Sequence, residues 1–299
     1  MEYPVAILAQ VSSPVQKKQA SALHPKVCSA MADKLLTLYD YDYVEGGCIG
    51  TPPDGTATDD SFGTYATNYL ILAIGVAAAL PIFFNPRAGT LSKILGPSFF
   101  LLNGLGYGVA GYLHQVIHHT AEFAVYALWF KTSYVAAVLG VLAFHMYSNY
   151  AHHFSIPETD CCKACLPYLN GFAIVPAVII VAMQVFVGAK LLQVGVYSVV
   201  VMIYALFTFL RAGGGAIDRV TVVGIVLIIV GYLAQPVLDP ICGDSQSADC
   251  FSQCPLPAPY FNHNAMFHLL FAIGLAVLGV TLSLHPLETR CAQQFEALV

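Results

Sequence analysis

Seven apolar stretches, each long enough to cross a bilayer as a helix, constrain this chain more than any other feature. A hydrocarbon core about 30 Å thick takes about 17–25 helical residues, and each stretch falls in that range or slightly above it. The sequence therefore predicts an all-α, polytopic membrane protein whose transmembrane domain is a seven-helix bundle. The predicted spans cover residues 68–85, 95–117, 122–147, 168–188, 191–211, 219–238 and 262–284.

The composition supports a membrane protein and excludes a soluble domain of this size. Of the 299 residues, 58% are hydrophobic and 10% are charged, whereas about 25% are charged in an ordinary soluble domain. The excess apolar surface must face lipid. We expect a polar extracellular or lumenal tail over residues 1–66, a transmembrane domain over 67–286 and a short cytoplasmic tail over 287–299. No secretory signal precedes the first span, which we expect to act as its own insertion signal.

The basic residues predict the orientation of the bundle. Short cytoplasmic loops carry an excess of Lys and Arg, and one set of predicted helix ends holds most of them, whereas the opposite short loops carry only Lys190. This asymmetry predicts an outside N-terminus and an inside C-terminus, in the plasma membrane or an endomembrane of the secretory pathway. The residues of the basic set are Arg87, Lys93, Lys163, Arg211, Arg219 and Arg290.

The same charges limit the partners that we expect. No basic patch is large enough to neutralise a phosphate backbone, so we expect no nucleic acid. Membrane lipids are the expected surroundings, and the tail over residues 1–66 is where we expect a protein partner to bind.

The cysteines divide between the two sides of the predicted bundle. Outside, an oxidising compartment permits disulfides, but five thiols cannot all pair with one another and the sequence leaves the pairing open. Inside, a cysteine group at a membrane boundary is typical of palmitoylation, with a metal knuckle as the alternative. The candidates for disulfides are Cys28, Cys48, Cys242, Cys250 and Cys254, and those for palmitoylation are Cys161, Cys162, Cys165 and Cys291.

Two histidine groups carry the candidate chemistry, because polar residues in a membrane are costly and mark function. His114 and His118 are four residues apart and share a helix face, and Glu122 follows them. His263 and His268 open the last span but are turned roughly 140° apart on an ideal helix. Imidazoles with a carboxylate favour zinc, at the outer ends of the helices, where Asp239 also lies. The alternative is histidines that lie among lipid headgroups or bond a backbone carbonyl.

Lys131 is a predicted buried charge in the third span. It lies about nine residues past the predicted start of that helix, which is close to mid-membrane at 1.5 Å per residue. We expect it to face the bundle interior and to pair with Glu122, a tyrosine such as Tyr107, or the anionic group of a ligand. The inner histidines are interpreted instead as residues solvated at the interface. They are His145, His152, His153 and His285.

Two short motifs resemble the CREST superfamily of seven-helix membrane proteins, which contains alkaline ceramidases and the adiponectin and progestin receptors. Gly111-Tyr-Leu-His114 is similar to that family's second helix, and Asn264-Ala-Met-Phe-His268-Leu-Leu to its seventh, within a resemblance that covers roughly residues 68–285. The resemblance implies that His114 and His268 are zinc ligands. Asn264 stands in the place of the third ligand, Ala110 in that of a helix 2 serine, and Glu122 approximates the family's aspartate.

The resemblance leaves three functional hypotheses. Because the ligand set is incomplete, we favour a non-catalytic protein, either a receptor or a subunit of a membrane assembly. The second is a zinc-dependent lipid amide hydrolase in which Glu122 is the proton shuttle and His263 or His118 completes the site. The third is a transmembrane haem protein that uses His114 with His268 at one side and His145 with His285 at the other.

Overall fold

The computed structural model describes the part of the chain that holds the predicted spans. The chain divides into two compact units, Met1–Tyr41 and Asp42–Val299, and all the described residues belong to the second. The described residues are 44–45, 56–57, 62–117, 123–155, 160–187, 191–211, 216–242, 255–257 and 261–286.

The prediction of a seven-helix membrane protein is confirmed. Within the described residues, seven helices are long and apolar enough to span a membrane. Two of them continue into a π-helical turn, and a two-residue antiparallel strand pair, β1 (Val44–Glu45) with β2 (Thr56–Ala57), precedes the helices. The helices are α1 (Phe62–Phe84), α2 (Thr90–Tyr112, then the π turn Leu113–Ile117), α3 (Phe123–Ser155), α4 (Asp160–Ala182, then the π turn Met183–Val187), α5 (Leu191–Arg211), α6 (Ala216–Cys242) and α7 (His263–Leu284).

Six of the helices form a closed ring. Around it, α1 packs on α2, α2 on α3, α3 on α5, α5 on α6, α6 on α7, and α7 returns to α1. The helix α4 lies outside this ring, against α3 and α5. Its aromatic side chains accordingly point away from the protein, with Tyr168 79% and Phe186 81% exposed. In a membrane protein such a surface faces lipid.

The first two helices approach closely because glycine lines their contact. A Cβ atom at Gly75 would lie 2.6 Å from the Phe100 carbonyl oxygen and 3.1 Å from Gly104 Cα. Small residues allow membrane helices to gain van der Waals contact between backbones, which replaces the hydrophobic effect that lipid removes. This contact fixes α1 against α2 and so places the polar residues at the beginning of α1.

An aromatic core joins α2 to α3. The rings of Phe99 and Phe144 stack with their centroids 4.5 Å apart, and Phe144 stacks in turn on Tyr147 at 6.5 Å. Phe99 and Phe144 are fully buried. Stacking of this kind adds about 0.5–1.5 kcal/mol per pair beyond burial.

Candidate functional site

The beginnings of α1 and α7 are joined by a polar contact. Asn262 caps α7, since its side-chain oxygen accepts a hydrogen bond from the Ala265 backbone N–H at 3.1 Å. The same oxygen accepts from the Thr64 hydroxyl at 3.3 Å. The cap is 1% exposed. A side chain that ends one helix therefore also fixes the first helix against the last.

His268 is held by a threonine of α1. The Thr67 hydroxyl oxygen lies 3.4 Å from His268 Nδ1 and 2.6 Å from the Gly63 carbonyl oxygen. A hydroxyl has one proton. When Thr67 donates it to Gly63, its oxygen is left to accept from an Nδ1–H of His268, and this bond fixes the orientation of the imidazole.

Asn264 pairs with an amide of α6. The Gln235 Nε2 group donates to Asn264 Oδ1 at 2.8 Å. The position that the resemblance assigns to a third metal ligand is therefore part of an amide–amide hydrogen bond between α6 and α7.

Aromatic rings of α2, α6 and α7 form a group beside His268. The Tyr107 ring meets the His268 ring edge-on, with centroids 5.3 Å apart, and the Tyr107 and Tyr232 hydroxyls lie 3.4 Å apart. Phe267 packs on the Tyr232 ring at 4.9 Å. The imidazole thus lies between the Thr67 hydroxyl on α1 and these aromatic rings, which we call the aromatic wall.

Asn68 is the buried amide of this region. Its side chain is fully buried, and neither its Nδ2 nor its Oδ1 atom has a hydrogen-bond partner among the described residues. It faces α2, because a Cβ atom at Gly111 would lie 3.0 Å from Asn68 Cβ. In lipid an unsatisfied amide is costly, so Asn68 indicates a polar occupant.

We call these side chains the polar cluster. It lies at the ends of α1, α6 and α7 that share one end of the bundle, and all its members are uncharged amides or hydroxyls apart from the imidazole of His268. Sequence analysis missed five of them, although polar residues three and four apart at the start of an apolar span were a signal for Thr64, Thr67 and Asn68. The members joined by hydrogen bonds are Thr64, Thr67, Gln235, Asn262, Asn264 and His268. We include Asn68 because it lies one residue after Thr67 on α1.

The predicted metal residues come together only in part. His263 and His268 are both buried at the beginning of α7, while His114 is half-buried on the π turn that ends α2. His118 and Glu122 lie outside the described residues. In the described part of the chain no three His, Cys, Asp or Glu side chains gather to hold a metal ion. The described residues by themselves therefore do not fit zinc.

Lys131 lies eight residues past the start of α3 at Phe123, close to the nine that the sequence predicted. Its side chain is half-buried. Its Nζ donates to the Val185 carbonyl oxygen at 3.2 Å, on the π turn after α4. A cation at a helix C-terminus is favoured by the helix dipole, so Lys131 stabilises the α3–α4 contact.

The structure describes the side chain of one of the predicted cysteines. Cys165, the sixth residue of α4, has a free thiol and is exposed. Cys161, Cys162 and Cys242 lie in helices, but their side chains are outside the described part. Palmitoylation and disulfide formation stay predictions. The remaining candidates, all outside the described residues, are Cys28, Cys48, Cys250, Cys254 and Cys291.

Comparisons with known proteins assign no family to this arrangement. No protein-family model, curated protein or solved structure matches the chain.

Proposed function

We propose that the chain is a non-catalytic, receptor-like membrane protein of CREST-like fold whose polar cluster binds the neutral polar group of a lipid. The pairing of Asn264 with Gln235 at 2.8 Å supports this proposal most strongly. Asn264 is thereby held in a neutral amide pair, whereas a hydrolytic zinc centre requires a third imidazole or carboxylate at this position.

The carboxylate side chain that the structure describes lies away from the cluster. Among the side chains that the structure describes, Asp218 is the one carboxylate. It lies at the beginning of α6, whereas Gln235 of the cluster lies near the end of that helix. A metal-activated water needs a nearby group to move its proton, and the described residues of the cluster offer no carboxylate for this step.

Asn68 supports a ligand with both donors and acceptors. Its amide offers two N–H donors and one carbonyl acceptor, and it is fully buried without a partner in the described part of the chain. A lipid amide or hydroxyl matches this pattern, because each can donate and accept at one site. The aromatic wall formed with Tyr107 and Tyr232 suits the apolar chain of such a lipid.

We also propose that the polar cluster faces the extracellular or lumenal side. Four described basic residues lie at the opposite helix ends, in the α1–α2 turn, the first turn of α2, the last residue of α5 and the first turn of α6. The excess of Lys and Arg on the cytoplasmic side of membrane proteins supports this orientation. These residues are Arg87, Lys93, Arg211 and Arg219.

Mass spectrometry distinguishes binding of an intact lipid from its hydrolysis. The purified protein is incubated with a short-chain N-acyl amino alcohol and analysed by native mass spectrometry, with free fatty acid measured in parallel. We expect the intact lipid to remain bound. Asn68→Leu should weaken its binding about tenfold, as the loss of one or two hydrogen bonds predicts.

The matched control is Asn103→Leu. Asn103 is a second fully buried asparagine of the bundle, outside the polar cluster, and its Nδ2 donates to the Phe99 carbonyl at 2.8 Å. The control should bind the lipid as the wild type does. Fatty acid released by the wild type and not by His268→Ala would show that the protein is a hydrolase. Equal lipid binding by the two asparagine variants would exclude the polar cluster as the lipid-binding site.

A further inference from the structure

A second set of buried polar atoms lies between α3 and α5. His145 Nδ1, Asn149 Oδ1 and the Tyr204 hydroxyl are each buried without a hydrogen-bond partner among the described residues. His145 is 8% exposed and Asn149 is fully buried. We call these three residues the α3–α5 group. The sequence interpretation of His145 as a residue solvated at the interface is wrong, since the structure buries it.

Two of the three residues face each other across a helix contact, and the third lies one turn away. His145 and Asn149 are four residues apart on α3 and share a face, and α3 packs on α5. The rings of His145 and Tyr204 lie 5.2 Å apart at an interplanar angle of 56°. From a third helix, Asn170 accepts a hydrogen bond from Asn149 Nδ2 at 3.0 Å. This bond orients the Asn149 amide and leaves its Oδ1 as the acceptor.

The neighbouring hydroxyls do not satisfy these atoms, because they are used within their own helices. The Ser148 hydroxyl donates to the Phe144 carbonyl at 2.9 Å. The Thr208 hydroxyl donates to the backbone carbonyl of Tyr204 at 3.0 Å. A polar atom buried in a membrane protein needs a partner, so the partner of the α3–α5 group must come from outside the chain's described residues.

We propose that the α3–α5 group binds a hydroxyl group, supplied by an ordered water or by a lipid headgroup. Tyr204 can donate and accept, Asn149 Oδ1 accepts, and His145 Nδ1 does one or the other according to its tautomer. A hydroxyl can meet all three because it has one donor and two acceptor positions. A buried water usually makes about three hydrogen bonds, which equals the number of atoms that the group offers.

The group lies toward one end of the bundle. Asn149 lies six residues and His145 ten residues before the end of α3 at Ser155, which is about 9–15 Å from that helix end at 1.5 Å per residue. This end of the bundle is the one that carries Arg211, at the opposite end from the polar cluster. The α3–α5 group and the polar cluster are therefore at different ends of the bundle.

Hydroxyl-radical footprinting in isotope-labelled water detects an ordered water, because radicals form from water bound beside a buried ring. We expect Tyr204 to be oxidised several-fold more than Tyr197. Tyr197 is the internal control, as it is buried on the same helix, 7% exposed, and its hydroxyl lies 3.5 Å from the Ala173 carbonyl. Asn149→Leu should reduce Tyr204 oxidation to the level of Tyr197, and Ser148→Ala should leave it unchanged.

Native mass spectrometry from nanodiscs tests the lipid source. Phosphatidylglycerol, whose headgroup carries hydroxyls, should be retained by the wild type in preference to phosphatidylcholine, and lost in Asn149→Leu and Tyr204→Phe. Oxidation of Tyr204 without a retained lipid assigns a water, and a retained phosphatidylglycerol assigns a headgroup. Oxidation of Tyr204 no greater than that of Tyr197, with no retained lipid, would overturn the proposal and indicate direct pairing of His145 with Tyr204.

Discussion

The Thr67 hydroxyl on the first helix contacts the imidazole of His268 on the last helix. It lies on the first helix, and its oxygen is 3.4 Å from His268 Nδ1 on the last. Because its own proton is directed to the Gly63 carbonyl at 2.6 Å, the threonine acts as an acceptor for the imidazole. Thr67 thus orients His268 and adds to the Thr64–Asn262 contact between α1 and α7.

We predict that Thr67→Val destabilises the bundle by about 1 kcal/mol, the typical contribution of one hydrogen bond. Valine keeps the shape of threonine, so packing is unchanged and only the hydroxyl is lost. Thr221→Val is the control, because Thr221 is also buried but bonds the Ile217 carbonyl of its own helix at 2.9 Å. The measurement is denaturant unfolding in mild detergent. Equal losses in both variants would contradict a specific role for the contact with His268.

The chemistry of single residues was partly predictable from the sequence. His114 and His268 stood out because ionisable groups in an apolar span are costly, and the structure places both at one end of the bundle. Asn68 did not stand out, since its burial depends on Gly111 of another helix. The pairing of Asn264 with Gln235 is also a contact between helices, and no local pattern encodes its distance.

At the scale of helices, α1 and α2 approach each other closely at Gly75. A Cβ atom at Gly75 would lie 2.6 Å from the Phe100 carbonyl oxygen, whereas one at Gly195 of α5 would meet nothing within 4 Å. Gly75 is therefore required by helix packing, whereas Gly195 only lowers the helix propensity of α5.

We predict that Gly75→Ala lowers the stability of the protein by about 1–3 kcal/mol, because the backbones must separate to admit a methyl group. Gly195→Ala should instead raise it by about 0.5–1 kcal/mol through helix propensity. Thermal unfolding of the two variants in the same detergent provides the comparison. A stabilising effect of alanine at both positions would show that α1 and α2 are not closely packed.

The helices themselves were predictable, and their details were less so. Long apolar runs fixed the existence of all seven spans. The first helix begins at Phe62 rather than at residue 68, because Gly63 and Thr64 pack on neighbours although they are not strongly apolar. Lys131 lies eight residues into α3, about as deep as the sequence predicted, but its partner was not among the predicted groups. Its partner, the Val185 carbonyl, is on a π turn that the sequence pattern does not reveal.

At the scale of the whole molecule, the arrangement is a ring of six helices with α4 outside it. The outer helix exposes large apolar side chains such as Phe172, which is 74% exposed, so the membrane supplies part of its packing. The two ends of the bundle differ in chemistry, with the polar cluster at one and most described basic residues at the other. This difference is the basis of the proposed orientation.

We predict that Cys165 is accessible only from the cytoplasmic side. Its thiol is exposed at the beginning of the α4 span, at the basic end of the bundle. A membrane-impermeant maleimide should label it in inside-out vesicles and not in intact cells, with Cys165→Ser as the control that separates its signal from the other cysteines. Labelling in intact cells would reverse the orientation and place the polar cluster in the cytoplasm.

If the beginning of α7 forms a neutral binding site rather than a metal centre, the purified protein should hold no zinc. Protein purified without chelators and equilibrated with zinc is analysed by plasma mass spectrometry beside His268→Ala. We expect far less than one zinc per chain in the wild type and the same amount in the variant. One zinc per chain, lost in His268→Ala, would instead show a metal centre at this position.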